Sequence, residues 1–253
     1  RFLIATAQGN IYLKDKHYQS LPTWNPKALK HSFAEAPVHI RVQKKDYFLA
    51  LQTNGTLQAW NRKGQSYSGF PVVLKEPVQN PLWIRKGKTT DDTVLMVLTD
   101  KGKYIHLNLA GHIQESTQLG CLEDTSRFMV CSSQTGHTYV ILRKDMDKTT
   151  VIDMDKNVLF VLPHPAQRLQ YYDFGNNNQF YVVSNTAQKL VYIYDYTGTL
   201  LDDLPWHNEH GVSLLFSEVD KKIQIYGSSN HVLSKYERYI LTPCESSIAE
   251  ELL

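Results

Sequence analysis

Six times along the chain, a short apolar strand runs into a tight turn and returns as a second strand. Successive copies are about 41–47 residues apart, which is the spacing of propeller blades. The turns lie near Gly9, Gly55, Gly102, Asp147, Gln188 and Ser229. Because a lone hairpin cannot bury its apolar face, a repeat this regular indicates units that stack on one another. The spacing therefore predicts an all-β fold, a β-propeller.

The second copy shows how one unit is built. An apolar strand at 47–51 leads into a turn at 53–55, and a returning strand follows at 56–60. The Asn-Gly pair in the turn supplies the conformations that a tight hairpin needs. Further strands are predicted near 69–72 and at 81–84, so each unit has the four strands that a propeller blade requires.

The other copies follow the same plan. We predict units at 1–46, 47–92, 93–137, 138–178, 179–220 and 221–240. Fourth strands are predicted at 38–41, 82–84, 128–130, 169–172 and 214–216. The result is a β-propeller of four-stranded antiparallel blades, with about five complete blades plus a partial sixth, over 1–240. A C-terminal tail, 241–253, follows, and we expect upstream residues outside this chain to complete the sixth blade.

The second unit also carries a family resemblance. Its Asn54-Gly55 pair, Trp60, the turn at 61–64 and the Gly-Phe-Pro at 69–71 resemble repeats of bacterial propellers of the quinoprotein-like and FG-GAP-like kind. The resemblance implies a binding or scaffold role in the cell envelope, the periplasm or outside the cell.

No cofactor or metal is expected. The four Trp residues show no repeated docking signature, and no calcium loop with converging oxygens is present. The nearest approximations, 145–147 and 153–155, are interpreted as turn residues. The chain has no nucleophile elbow, phosphate-binding Gly loop or zincin helix, so no catalytic residue is predicted.

Charge and hydropathy exclude two further classes of partner. The formal net charge is +2 and the basic residues are spread along the chain, whereas nucleic-acid binders concentrate them on one face. No apolar run approaches the ~18 residues of a membrane span. Cys121, Cys131 and Cys244 are too few for a disulfide framework, and we expect free thiols.

The segment from Pro205 to His210 has the highest density of side chains suited to binding, with one Trp, two His and one Glu. His207 and His210 could ligate a metal only on a helix, and Pro205 and Gly211 favour a loop instead. Trp206 is interpreted either as the anchor of a binding loop or as ordinary packing between blades. The predicted partner-binding residues are Trp206, His207, His210 and His164, with Trp24 and Trp83 behind them.

Three functions are open at this point. The first is a non-enzymatic β-propeller domain that binds a protein or a glycan through loops on one face. The second is a glycan-active hydrolase or lyase with acidic residues at the central channel. The third, a nucleic-acid-wrapping propeller like the C-terminal domain of type II topoisomerases, is disfavoured by the modest charge. A further positive signal is a cluster of tyrosines that could form a stacking platform: Tyr171, Tyr172, Tyr181, Tyr192, Tyr194 and Tyr196.

Overall fold

The structure is a computed structural model that describes residues 2–21, 23–24, 27–120, 125–162, 168–202, 205–209, 211–229 and 232–239. Within these ranges the regular secondary structure consists of 22 strands, with no helix. Strands of this kind follow from the sequence, which alternates short β-branched and aromatic segments with Gly, Asn and Asp turns.

The strands form six sheets in chain order. The first contains β1 (Phe2–Ala5), β2 (Asn10–Lys14) and β3 (Lys27–Ala28). The second contains β4 (Val38–Val42), β5 (Lys45–Leu51), β6 (Thr56–Trp60) and β7 (Val72–Val73). The third contains β8 (Trp83–Arg85), β9 (Val94–Leu98), β10 (Lys103–Leu107) and β11 (Ile113–Gln118).

The remaining sheets continue the pattern. The fourth contains β12 (Arg127–Ser132), β13 (Tyr139–Lys144), β14 (Thr149–Ile152) and β15 (Val158–Leu162). The fifth contains β16 (Arg168–Asp173), β17 (Gln179–Asn185), β18 (Leu190–Tyr194) and β19 (Trp206–His207). The sixth contains β20 (Val212–Ser217), β21 (Lys222–Ser229) and β22 (Val232–Tyr239).

Each sheet is a local meander whose strand order follows the chain. Four of the sheets have four strands and two have three, and the registers described are antiparallel. The predicted fold class, an all-β propeller of antiparallel blades, is confirmed, and five or six blades fit these sheets.

The predicted fourth strands exist, but their assignment to the preceding unit is wrong. The segment predicted at 38–41 is β4, which pairs with β5, so that Ile40 lies opposite Tyr47. Only Gln43 and Lys44 separate the two strands, and both have positive φ values, 48° and 63°. Two such residues make the tight hairpin turn whose twist matches antiparallel strands. The strand therefore begins the second sheet, and its four counterparts begin the later sheets in the same way.

One turn recurs before the last strand of each of the first five sheets. Its first residue accepts a hydrogen bond, through its side-chain oxygen, from the backbone N–H four positions later, at 2.8–3.1 Å. These first residues are Asp15, Asn61, Asn108, Asp153 and Asp195. Asp and Asn suit the position because a short side chain with an oxygen acceptor can bond to its own turn. The turn noted at 61–64 in the second unit belongs to this set.

The chain divides into two compact units, 1–130 with 141–146 and 131–140 with 147–253. The core of the first unit lies on the central strands of the second and third sheets. Leu49, Leu57 and Val97 are fully buried there. A second cluster in this unit contains Trp24 and Phe48. The single domain predicted over 1–240 stays a prediction.

The core of the second unit lies on the fifth and sixth sheets. Val182, Val191 and Ile193 from the fifth sheet pack with Ile223 and Ile225 from the sixth. All five side chains are almost completely buried, and burial of each contributes roughly 1.5–3 kcal/mol. This packing fixes the strands whose turns form the site described next.

Candidate functional site

The predicted residues Trp206 and His207 lie in β19, the last strand of the fifth sheet. Trp206 is half-buried and packs against the core of the second unit. The ring of Tyr236 meets it edge to face, with 4.6 Å between centroids, and the Arg238 guanidinium lies 5.7 Å from its centroid. The indole is thus held by packing in the second unit, while the His207 side chain is exposed. His210 and His164 lie outside the described residues.

Trp24 and Trp83 are core residues. Trp24 is fully buried, and its indole Nε1 donates a hydrogen bond to the Arg62 carbonyl at 3.1 Å. Trp83 is 8% exposed. Both are therefore core side chains in the described structure, and their predicted place behind the binding residues stays a prediction.

A different site is found in the second unit, where a cavity of about 360 Å³ lies at one end of the fourth and fifth sheets. The turn before the last strand of each of these sheets lies at this end. Four tyrosines and three aspartates line it, and we call it the tyrosine–aspartate pocket: Tyr139, Tyr171, Tyr181, Tyr196, Asp153, Asp155 and Asp173. The volume is at the small end of the range for ligand pockets.

The floor of the pocket is a stacked pair of tyrosines. Tyr171 in β16 and Tyr181 in β17 are directly opposite each other across the antiparallel pair. Their ring centroids are 5.3 Å apart and the rings are inclined by only 19°. Phe160 meets the Tyr181 ring edge to face at 4.9 Å. The pair is buried, with 7% of Tyr171 and 2% of Tyr181 exposed, so it is held in place by the sheets.

Asp173 is fixed beside this floor by hydrogen bonds. Its Oδ2 accepts from the Thr138 hydroxyl at 2.7 Å. Its Oδ1 accepts from the Gly175 backbone N–H at 3.0 Å and from the Gln179 amide at 3.3 Å. These three bonds hold the carboxylate in one orientation.

The two other aspartates come from the turn that follows β14. Asp153 accepts from Asn157 at both carboxylate oxygens, at 2.8 and 3.1 Å, so it holds the turn closed. Asp155 lies two residues further on and is exposed at the rim. Tyr196 occupies the corresponding turn of the fifth sheet and is 41% exposed. The rim thus combines an exposed aromatic side chain with a carboxylate.

The pKa values of Tyr171 and Tyr181 are both raised, by burial and by the negative charges near the pocket. Burial raises the pKa of Tyr171 to about 12, and the charge of Asp173 contributes to the same rise. Burial also raises the pKa of Tyr181, followed by the effects of Tyr171, Asp173 and Asp153. Both hydroxyls therefore stay protonated at neutral pH, in a negative electrostatic field.

The Tyr181 hydroxyl is a polar group on the floor that the fold leaves open. Within the described part of the chain it makes no hydrogen bond, although the residue is 98% buried and lines the cavity. The group is available to a ligand.

The pocket and the predicted loop lie at opposite ends of the same strand. His207 pairs with Leu190, the first residue of β18, whereas Tyr196 follows Tyr194, the last residue of that strand. Sequence reasoning identified the tyrosine cluster but not which of its members share a pocket. It interpreted Asp153 and Asp155 as turn residues, which is what Asp153 is, and gave no role to Asp173.

Metal ligands and membrane spans are both absent from the part of the chain that the structure describes. It contains no group of three or more His, Cys, Asp or Glu side chains arranged to hold a metal ion. It also contains no helix with the length and apolar character of a membrane span. Cys131 is half-buried, forms no disulfide and donates from its Sγ to the Leu169 carbonyl at 3.4 Å; Cys121 and Cys244 lie outside the described residues.

No family profile and no curated protein matches the chain. Solved structures do match it. Sqt1 of Saccharomyces cerevisiae is similar with a TM-score of 0.60 and 15% identity, over 95% of this chain and 69% of that one. BamB from Moraxella catarrhalis has a TM-score of 0.53 and 12% identity, over 95% and 67%. BBS1N, in its complex with ARL6DN, has a TM-score of 0.51 and 11% identity, over 95% and 75%. At such low identities the similarity concerns the fold, and the chain is an all-β propeller.

Proposed function

We propose that this chain is a non-enzymatic binding module that recognises a partner protein at the tyrosine–aspartate pocket. The observation that carries the proposal is the open hydroxyl of Tyr181, buried at the floor of a cavity between stacked rings and fixed carboxylates. Rigid aromatic side chains with a polar tip are the groups that proteins use most often as binding anchors. One of the similar structures, BBS1N with ARL6DN, is itself a protein complex.

Binding is favoured over glycoside cleavage by the state of the carboxylates. A glycosidase needs two carboxyl groups free to serve as acid and as base or nucleophile. Here both oxygens of Asp173 and both oxygens of Asp153 accept hydrogen bonds from the protein. Asp155 alone lies at the rim without such a structural role among the hydrogen bonds described.

The residues predicted from the sequence remain part of the proposal as a second contact region. His207 is exposed, and Trp206, His164 and His210 stay predicted partner contacts. Since His207 lies at the end of the fifth sheet away from the pocket, a partner that uses both regions must extend along that sheet.

A location in the cell envelope, the periplasm or outside the cell also stays a proposal. One of the similar structures, BamB, comes from a bacterium, which supports a bacterial setting. Fractionation of the source cells with an antibody against the protein tests it. Recovery with the cytoplasmic fraction contradicts it.

A peptide selection tests the proposed function. A phage-displayed random library of peptides about 12 residues long is selected on the wild-type protein. The selected sequences are then synthesised, and their Kd values for the protein are measured. We expect peptides with micromolar Kd values that lose roughly tenfold or more in affinity on Tyr196→Ala and on Asp155→Asn.

Matched control variants are Tyr18→Ala and Asp92→Asn, which remove an exposed tyrosine and an exposed aspartate of the first unit. Peptides that bind the pocket variants as tightly as the wild type would show that the pocket is not the recognition site. Binding of oligosaccharides on a glycan array, lost in the same variants, would replace the protein partner with a glycan.

A further inference from the structure

We propose that the tyrosine–aspartate pocket takes a single cationic side chain, the guanidinium of an arginine or the ammonium of a lysine, from the partner. This inference rests on the proposed function and names the chemical group that the pocket recognises. It is carried by the residues that line the cavity and by the hydroxyl that the fold leaves open.

The charges on the pocket all have one sign. Asp153, Asp155 and Asp173 line it, and none of the described lining residues is Lys, Arg or His. A cavity with low-dielectric walls and one sign of charge concentrates counter-ions and favours ligands of the opposite charge. An anionic or strongly acidic partner group is therefore excluded from this cavity.

The aromatic rings favour a cation in the same way. Tyr196 stands at the rim with 41% of its surface exposed, whereas Tyr171 and Tyr181 stack on each other at the floor. The face of a tyrosine ring attracts a cation, and the attraction is stronger where water is excluded. A planar guanidinium can also stack on such a ring, which an ammonium cannot do.

The Tyr181 hydroxyl supplies the directional contact. Its oxygen has free acceptor capacity, and guanidinium and ammonium groups carry only N–H donors. A carboxylate at the rim, Asp155, offers a second acceptor of the kind that forms charge-assisted hydrogen bonds. A cation can thus donate a hydrogen bond to the open hydroxyl and also be attracted by the aspartate charges. A neutral sugar can only make the hydrogen bond.

The test uses three small probes: N-acetyl-arginine amide, N-acetyl-lysine amide and the neutral isostere N-acetyl-citrulline amide. Binding to the full chain is measured by ligand-observed NMR at low salt. We expect at least one cationic probe to bind with a Kd of about 1–10 mM, as befits a single side chain. The citrulline probe is expected to bind roughly tenfold more weakly or worse. The arginine and lysine arms identify which cation fits.

Variants separate recognition from folding. Tyr181→Phe removes only the hydroxyl and should weaken the cationic probe about threefold to tenfold, and Asp155→Asn should do so by a similar factor. Both variants are expected to keep the far-UV spectrum and unfolding midpoint of the wild type. The exposed Asp92→Asn should leave the affinity unchanged.

The outcomes distinguish this inference from the proposed function. Equal binding of arginine and citrulline probes, or unchanged affinity in Tyr181→Phe and Asp155→Asn, overturns the cation assignment. If selected peptides still depend on Tyr196, the binding module stands and only its ligand class changes. If no probe binds and no selected peptide depends on the pocket, both proposals fail.

Discussion

Two aromatic clusters occupy matching positions in the two units of the molecule. In the first unit, Phe48 in β5 lies opposite His39 in β4 and Trp60 in β6. The indole of Trp24, which comes from the first sheet's last connection, meets the Phe48 ring edge to face at 5.2 Å. We call these four residues the Trp24 cluster.

The second unit repeats this arrangement. Tyr181 in β17 lies opposite Tyr171 in β16 and Tyr194 in β18. Phe160 from the fourth sheet takes the place of Trp24 and meets the Tyr181 ring edge to face at 4.9 Å. We call these four the Tyr181 cluster. The same strand register therefore builds both clusters.

The clusters differ in how their polar groups are used. In the Trp24 cluster the indole N–H bonds to the Arg62 carbonyl at 3.1 Å, and the His39 ring bonds to Asp46 at 3.0 Å. In the Tyr181 cluster the central Phe is replaced by Tyr, whose hydroxyl is unbonded within the described residues and opens to a cavity. The same strand arrangement thus gives hydrogen-bonded ring nitrogens in one cluster and an open hydroxyl at a pocket in the other.

The largest effect is expected from Trp24→Ala. Removing a fully buried indole from a packed cluster should lower the free energy of unfolding by about 3–5 kcal/mol. The same change at the half-buried Phe160 should cost less. Urea unfolding followed by circular dichroism measures both. Equal losses, or no loss at Trp24, would contradict the description of a closed cluster.

The next effect concerns the glycines that close the turns at Asn61 and Asp195. Gly198 has a φ of +83°, and a Cβ there would lie 2.5 Å from the Phe160 ring. Gly198→Ala should cost roughly 2–3 kcal/mol, from the left-handed backbone and the clash. Gly64→Ala, with a φ of +73° and its closest contact at 3.0 Å, should cost less.

Gly120 is the matched control for these substitutions, because a Cβ there would meet nothing within 4 Å. Gly120→Ala should change the unfolding free energy by less than about 0.5 kcal/mol. A Gly198→Ala variant as stable as the Gly120→Ala variant would show that the turn does not press on Phe160.

Alkaline pH should weaken the Tyr181 cluster by a comparable amount. The pKa of Tyr171 is about 12 in the fold and 10.0 in the unfolded chain, so its contribution is complete below the unfolded value. The contribution is lost as pH rises between these two values, because only the unfolded chain releases the proton there. The loss is at most ~2 kcal/mol. Tyr171→Phe should reduce the fall in unfolding free energy between pH 10.0 and about 12, measured by urea titrations. A decline of the same slope in that variant contradicts the assignment.

The last pair of substitutions exchanges the central rings of the two clusters. Phe48→Tyr places a hydroxyl at a position that is only 4% exposed, and should cost about 1–3 kcal/mol. Tyr181→Phe removes an unpaired hydroxyl and should leave stability within about 0.5 kcal/mol of the wild type. Differential scanning calorimetry compares the two. Similar losses in both would mean that the clusters do not differ in polarity.

Much of the fold could be predicted from the sequence. The hairpins were found because Gly and Asn mark their turns, and the strands at 38–41 and 169–172 were located by their apolar residues. The sheet to which those strands belong was missed. The tight turn at Gln43 and Lys44 places β4 in the same sheet as β5. It could not be predicted because neither residue has a strong turn preference.

The site was less accessible to sequence reasoning. The sequence showed a high density of tyrosines between 171 and 196. Only the register of β16, β17 and β18 shows that Tyr171 and Tyr181 stack while Tyr196 reaches the rim. Asp173 comes into the pocket through long-range pairing with Thr138. A prominent indole such as Trp24 attracts attention as a binding residue, yet aromatic size equally favours burial.

The most direct test of the two-cluster account is an NMR titration of the protein labelled with ¹³C at the tyrosine ring carbons, with N-acetyl-arginine amide as the ligand. We expect the resonances of Tyr181 and Tyr196 to shift progressively with ligand, while those of Tyr47 and Tyr67 in the first unit stay in place. Tyr181 and Tyr196 signals that do not move at tens of millimolar ligand, or equal shifts at Tyr47 and Tyr67, would contradict it.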